Sequence, residues 1–129
     1  MPVTYQLDQE SGFIHTRCTG DVTFEEVIGH FRELETDTST PARLDVLLDL
    51  SEMQSLPGSD QLRAVAGEIN RMQARVKWGA CAVVAGRDAL FGMVRMFLVF
   101  AEGHFADSRV FRERKEAERW LASVRSPTA

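Results

Sequence analysis

Ser51, Ser55 and Ser59 recur at four-residue intervals in the stretch DLSEMQSLPGSD, residues 49–60. A hydroxyl at a loop-to-helix junction supports two kinds of chemistry. It can cap the helix, its oxygen accepting a hydrogen bond from a free N–H of the first turn, which stabilises by about 1 kcal/mol. It can also accept a phosphoryl group, whose charge the same N–H groups and the helix dipole then stabilise. Ser59 stands where the next helical pattern begins, so both readings fall on it. Asp60 suits the dipole as a cap neighbour and would repel a phosphate. Capping is the simpler reading, and Ser59 is also the phosphoacceptor candidate. Ser51 and Ser55 read as plain loop serines, and Pro57 stiffens the loop.

Other titratable groups are scattered. His15 falls in an alternating run, His30 in a helical pattern and His104 in a loop. Glu26 and His30 lie one helical turn apart, but two ligands make no metal site, so no metal or other cofactor is expected. The zinc-protease, nucleophile-elbow, Walker and dinucleotide motifs are absent, and no catalytic residues are assigned. VVAGRDA, with Arg87, has the form of an anion-holding turn, though Asp88 is placed to cap the following helix there. Asp49 closes an apolar strand pattern, the end at which α/β proteins bind ligands. An aspartate leaving a strand also commonly bonds the next turn. Cys18 and Cys81 sit in apolar runs with no redox or metal spacing and read as buried, reduced thiols.

The least ordinary stretch is Ala89–Ala101, where only Gly92 and Arg95 are not apolar. A helix on one sheet face needs an apolar stripe, which Leu90, Val94, Phe97, Leu98 and Ala101 supply. Phe91, Met93, Met96 and Phe100 are then surplus, and an apolar surplus implies a covering. Three are open: the chain's own terminal segments, a second copy in a homodimer, or an apolar small molecule such as a lipid tail. Methionine's flexible thioether suits the last two. Arg95 reads as a solvated guanidinium, with Glu102 two turns away as its one placed partner.

These residues need elements to hold them. VTYQLD and FIHTRCT alternate across the Gly-bearing turn QESG and predict a β-hairpin. Thr23 and Glu26 form a capping box for a helix with Phe24, Val27, Ile28, Phe31 and Leu34 on one face. The polar TDTSTPA connects it to RLDVLLDL, apolar enough to be covered on both faces, as parallel strands are. A helix from Gln61 to Arg75, the strand WGACAVVAG, the Ala89–Glu102 helix, a short strand RVF and a helix from Lys115 to Val124 follow, with Ala117, Trp120, Leu121 and Val124 inward. SPTA reads as a frayed tail. The order ββαβαβαβα predicts an α/β fold: one mixed five-stranded sheet with four helices in a single domain over residues 1–129, its core about 3–124. Right-handed crossovers make the later strands parallel.

Composition narrows the classes. The 129 residues carry 44% apolar and 26% charged residues and a net charge of −4. That suits a globular domain and disfavours nucleic acid, which demands a basic face. The 13-residue apolar stretch is shorter than the roughly 20 residues a bilayer span requires. The opening MPVTYQLDQE has neither the basic nor the apolar part of a signal peptide, so a cytoplasmic setting is expected.

The strings LLDLSEM, ACAVVAG and VFRERKEAERWL, with the element order, resemble the SpoIIAA-like group, related to the STAS domains of sulfate transporters and anti-sigma factor antagonists. The resemblance implies a non-enzymatic module that regulates or binds a partner protein. Some STAS-like domains are likened to a lipid-binding fold, which would favour the apolar ligand. In the antagonists, one serine of an Asp-Ser-Ser-Gly string following DLS is phosphorylated by a partner kinase, which ends binding. Laid from Asp49, this chain offers PGSD at Pro57–Asp60, with Ser59 at the serine's place. The flanking Asp, first Ser and Gly are absent.

Overall fold

The computed structural model describes residues 3–8, 13–37 and 43–125. The order is β1 (Val3–Asp8), β2 (Phe13–Gly20), α1 (Phe24–Thr36), β3 (Arg43–Met53), α2 (Ser59–Met72), β4 (Lys77–Val84), α3 (Asp88–Phe100), β5 (Asp107–Phe111) and α4 (Arg114–Arg125). The strands form one sheet in the order β1-β2-β3-β4-β5. β1 pairs antiparallel with β2, and every later pair is parallel. This is the mixed sheet with four helices that the patterning predicts. The QESG turn, the connector around Pro41 and the SPTA tail lie outside the described residues.

The two sheet faces are packed differently. Leu47, Ala80, Ala82 and Val84 face Ala117 and Leu121 of α4. Three of those six side chains are alanine methyls, which let α4 lie close against the strands. Trp120 packs at the edge of this layer, its ring 5.7 Å from that of Phe111. Val124, expected inward, is exposed, because it lies beyond the last turn that meets the sheet. On the opposite face α1, α2 and α3 cover larger side chains, among them Ile14, Leu44, Cys81, Val83 and Trp78. The Trp78 indole N–H donates to the carbonyl of Ile69 at 2.9 Å, tying β4 to α2.

The caps differ from expectation at two of the three helices where one was read. Thr23 caps α1 with the full reciprocal box: its Oγ1 accepts from the Glu26 N–H at 3.2 Å, and Glu26 Oε1 accepts from the Thr23 N–H at 2.8 Å. Ser59, however, is the first residue of α2, and Gly58 is its N-cap. Gln61 reaches back to accept the Gly58 N–H at 3.0 Å, so the half of a capping box that needs no cap side chain suffices there. Arg87, not Asp88, is the N-cap of α3. Asp88 turns outward to pair with Arg112.

β3 runs three residues past its apolar core, to Met53, because Glu52 and Met53 continue the ladder against Thr19 and Gly20. Gly20 ends β2 at φ 65°, a left-handed conformation that glycine adopts without strain. A register shift between Leu44 and Val46 interrupts the β3–β4 ladder. Asp45 repairs it: its buried carboxylate accepts the Ala80 N–H at 2.8 Å. The carboxylate occupies the space a side chain on Gly79 would need. A Cβ there would stand 2.0 Å from Asp45 Oδ1. Gly79→Ala should therefore destabilise the protein by about 1–3 kcal/mol, read as a lowered urea midpoint. Gly67→Ala, a helix position with open space around it, serves as the control and should not lower it.

Candidate functional site

Three helices laid over bulky strand residues do not meet the sheet everywhere. Between α1, α2, α3 and the sheet lies a cavity of about 160 Å³. An engineered apolar cavity of about 150 Å³ stays dry and takes up benzene. Ile14, Leu48 and Val83 form part of the floor, Phe31 and Leu34 of α1 one wall, and Leu62, Val65 and Ile69 of α2 the other. Of the residues that line it, Thr23 and Gln61 alone are exposed. They stand at the N-terminal turns of α1 and α2 and place the mouth beyond the carboxyl ends of β2 and β3. That is where open α/β sheets bind ligands. Outside the cavity, Arg71 of α2 pairs with Glu35 of α1 at 2.6 Å, and Arg32 of α1 with Glu68 of α2 at 3.1 Å, joining the two walls.

Lys, Arg, Asp and Glu are absent from the lining. Its polar members are few: Thr16, Thr23, His30, Gln61 and the thiols of Cys18 and Cys81. Burial pushes both thiols up to about 12, so they are protonated and unreactive at neutral pH. His30 packs against Tyr5, with ring centroids 5.2 Å apart, and against Phe31. Burial lowers its pKa to about 4, so the imidazole is neutral.

The loop before α2 is anchored at both ends. Ser51 lies in β3, where Asp49 Oδ1 accepts its N–H at 2.9 Å and its hydroxyl at 2.6 Å. Ser55 accepts the Val22 N–H at 2.9 Å, tying the loop to the start of α1. Neither is a plain loop serine: β3 extends past Ser51, and Ser55 cross-links two chain segments. Arg87 donates to the carbonyls of Met53 and Ser55 at 3.1 and 3.4 Å, so the glycine turn that carries it is tied to this loop. Ser59 is exposed, and its hydroxyl has no hydrogen-bond partner among the described residues. Pro57 and Gln61, to either side of it, line the cavity.

The surplus side chains of α3 meet different fates. Arg112 lies 4.3 Å over the Phe91 ring, and Arg63 lies 4.5 Å over that of Phe100. Met93 packs against the core under α2. Met96 is 39% exposed, and Val99, which the spacing did not single out, is 65% exposed. The chain's own arginines thus cover much of what the pattern leaves over, and none of these residues lines the cavity. The terminal segments offered as a covering lie partly outside the described residues. Arg95 is exposed and forms no ion pair among them.

A second polar group lies under α4. Arg114 stands 3.4 Å from Asp49 Oδ2, 3.4 Å from His15 Nδ1 and 3.1 Å from Glu118. Burial pushes the Asp49 carboxyl up, but the Ser51 hydrogen bonds and the Arg114 charge outweigh it and hold the group below the usual carboxylate range. Burial and Arg114 together lower the His15 pKa. Asp49 is consumed in fixing the turn after the β3 core and anchoring α4, as the strand-end reading allowed. His15 Nε2 is buried without a partner among the described residues. Glu26 is held in its capping box, and no three potential metal ligands cluster among those residues.

Neutral, desolvated His30 makes stability depend on pH. Between about 6.5 and about 4 the unfolded chain binds a proton that folded His30 does not. Stability is therefore full above this window and falls as the pH drops through it, by at most about 3 kcal/mol for this group. His15 acts in the same direction. Urea unfolding at pH 7 and pH 4.5 should show the loss, and His30→Gln should reduce it by more than half.

Comparison with known proteins places this geometry. A sequence model of the SpoIIAA-like family matches residues 13–122. No curated protein matches the chain. Among solved structures, the chain is similar to an uncharacterized protein of the DUF3478 family with a SpoIIAA-like fold, from Shewanella loihica PV-4. The two share 16% identity and a TM-score of 0.58, over 92% of this chain and 91% of the other. Among the described residues no helix is long and apolar enough to cross a membrane. From β2 to the last turns of α4, then, the sequence match and the sheet topology agree, and the chain belongs to the SpoIIAA-like family.

Proposed function

We propose that this protein is a non-enzymatic, cytoplasmic binding module that holds a small apolar molecule between its sheet and helices α1, α2 and α3. The observation that carries the reading is the cavity: about 160 Å³, with no charged residue in its lining and a mouth between two helix N-termini. A core of this size ordinarily closes such a space, because lost contacts destabilise by about 24 cal/mol per Å³ of cavity. A ligand restores those contacts. The non-enzymatic part rests on the use already made of the polar groups. Asp49, Asp45 and Glu26 each serve the fold, and the thiols are protonated.

Toluene, as a generic probe, should raise the melting temperature and shift the methyl resonances of Ile14, Val83 and Leu90. Val65→Phe, which fills the cavity from α2, should abolish both effects and leave the fold intact. Unchanged resonances in the wild type at millimolar toluene would defeat the reading.

Ser59 favours a second reading, a regulatory contact with a protein partner, because its hydroxyl is exposed and uncommitted at the first turn of α2. The exposed Met96 and Val99 on α3 belong with it, as a surface for such a partner or for a second copy of the chain. Because Ser59 is not the cap, Ser59→Ala and Ser59→Asp should each change stability by less than about 0.5 kcal/mol. In pull-downs with Ser59→Ala as bait, a captured partner should be lost on exchange for Ser59→Asp. Equal capture by the two would remove Ser59 as a switch.

A further inference from the structure

The cavity is not uniformly apolar, and its polar exception lies at one place. β2 sends Ile14, Thr16 and Cys18 to the helix-covered face. Thr16 is only 4% exposed and lines the cavity. Its hydroxyl bonds no other described residue and is open to a solvent-sized molecule, whereas the one sealed, unpartnered polar atom among those residues is His15 Nε2. Valine has the same shape and belongs in such a strand without penalty. Thr16 instead brings a hydroxyl to the cavity wall.

A second such group lies beside it. Tyr5 is the direct cross-strand neighbour of Thr16, and the His30 ring stands edge-on to the ring of Tyr5. His30 also lines the cavity, and its ring nitrogens have no hydrogen-bond partner among the described residues. The Tyr5 hydroxyl is already committed, donating to Asp37 Oδ2 at 2.8 Å. Thr16 from the floor and His30 from α1 thus flank one side chain, and both line the same apolar space.

Building on the ligand reading above, we propose that Thr16 and His30 are the polar anchor of the cavity, and that its ligand is a small apolar molecule carrying one uncharged hydrogen-bonding oxygen, of the phenol type. A phenolic hydroxyl can donate to the imidazole lone pair and accept from the threonine hydroxyl, using both groups at once. A pure hydrocarbon would leave both unsatisfied. A carboxylate would have to give up its hydration in a space with no Lys or Arg in its lining.

The test compares phenol, toluene and benzoate by NMR titration of the wild type, Thr16→Val and His30→Phe. The ratio of phenol to toluene affinity should fall about tenfold in Thr16→Val, with toluene binding kept and the phenol preference restored in Thr16→Ser. His30→Phe should lower the same ratio. An unchanged ratio in Thr16→Val would overturn the anchor and leave the cavity as a hydrocarbon site. Benzoate binding tighter than phenol would overturn the uncharged headgroup. Failure of all three probes to bind the wild type would overturn the ligand reading and the anchor with it. Should His30→Phe fail to fold, the Thr16 series decides alone.

Discussion

The two faces of β3 and β4 carry side chains of different size, and much of the structure follows from that difference. Both strands are buried from above and below, so each face is largely apolar and its exceptions, Asp45 and Asp49, are hydrogen-bonded. On the α4 side the apolar strand residues are Ala80, Ala82, Leu47 and Val84, and a single helix seats closely with Ala117 against them. On the other side the residues are Leu, Val, Cys and Trp, and three helices must share the cover. Close packing of one helix against small side chains is an easy geometric problem. Seating three helices over large ones leaves the space between α1, α2 and the floor.

The polar groups divide by the same two faces. Under α4 Asp49 pairs with Ser51 and Arg114, and Arg114 with Glu118, while His15 Nε2 stays buried without a partner among the described residues. The cluster resembles a reactive site in composition only, because the carboxylate is already committed. On the cavity side Thr16 and His30 are left without partners among the described residues. Buried polar groups in native proteins are almost always paired. Two polar groups that line a space large enough for a small molecule bear more directly on a ligand than the charges paired under α4.

The elements were legible because their periods are strong. Alternation in β1 and β2, unbroken apolar runs in β3 and β4, and the helical stripe of α2 each report burial on one or two faces of a local structure. The Thr23–Glu26 box was legible because both of its bonds lie within four residues. Ser59 and Asp88 misled because a cap is one position wide: Gly58 with Gln61 competes as well as a serine does, and Arg112 draws Asp88 outward. The excess of apolar side chains on α3 was visible, but its covering was not. Arg63 and Arg112 reach Phe100 and Phe91 from elements far away in sequence.

The sequence by itself determined the order of strands and helices, the mixed sheet and the family resemblance, because hydrophobic period and crossover handedness are local or nearly local constraints. It also named Ser59 and the serine loop as places of interest. Only the tertiary structure decided that Asp49 and Ser55 are structural, that Asp45 fills the space above Gly79, and that a cavity opens between α1 and α2. Thr16 was read as part of an alternating strand, and His30 as a helix residue one turn from Glu26. Fourteen residues apart in the chain, they meet across Tyr5 only when α1 folds over β1 and β2. Volume and hydrogen-bond satisfaction are properties of several elements at once, and no periodicity along one chain encodes them.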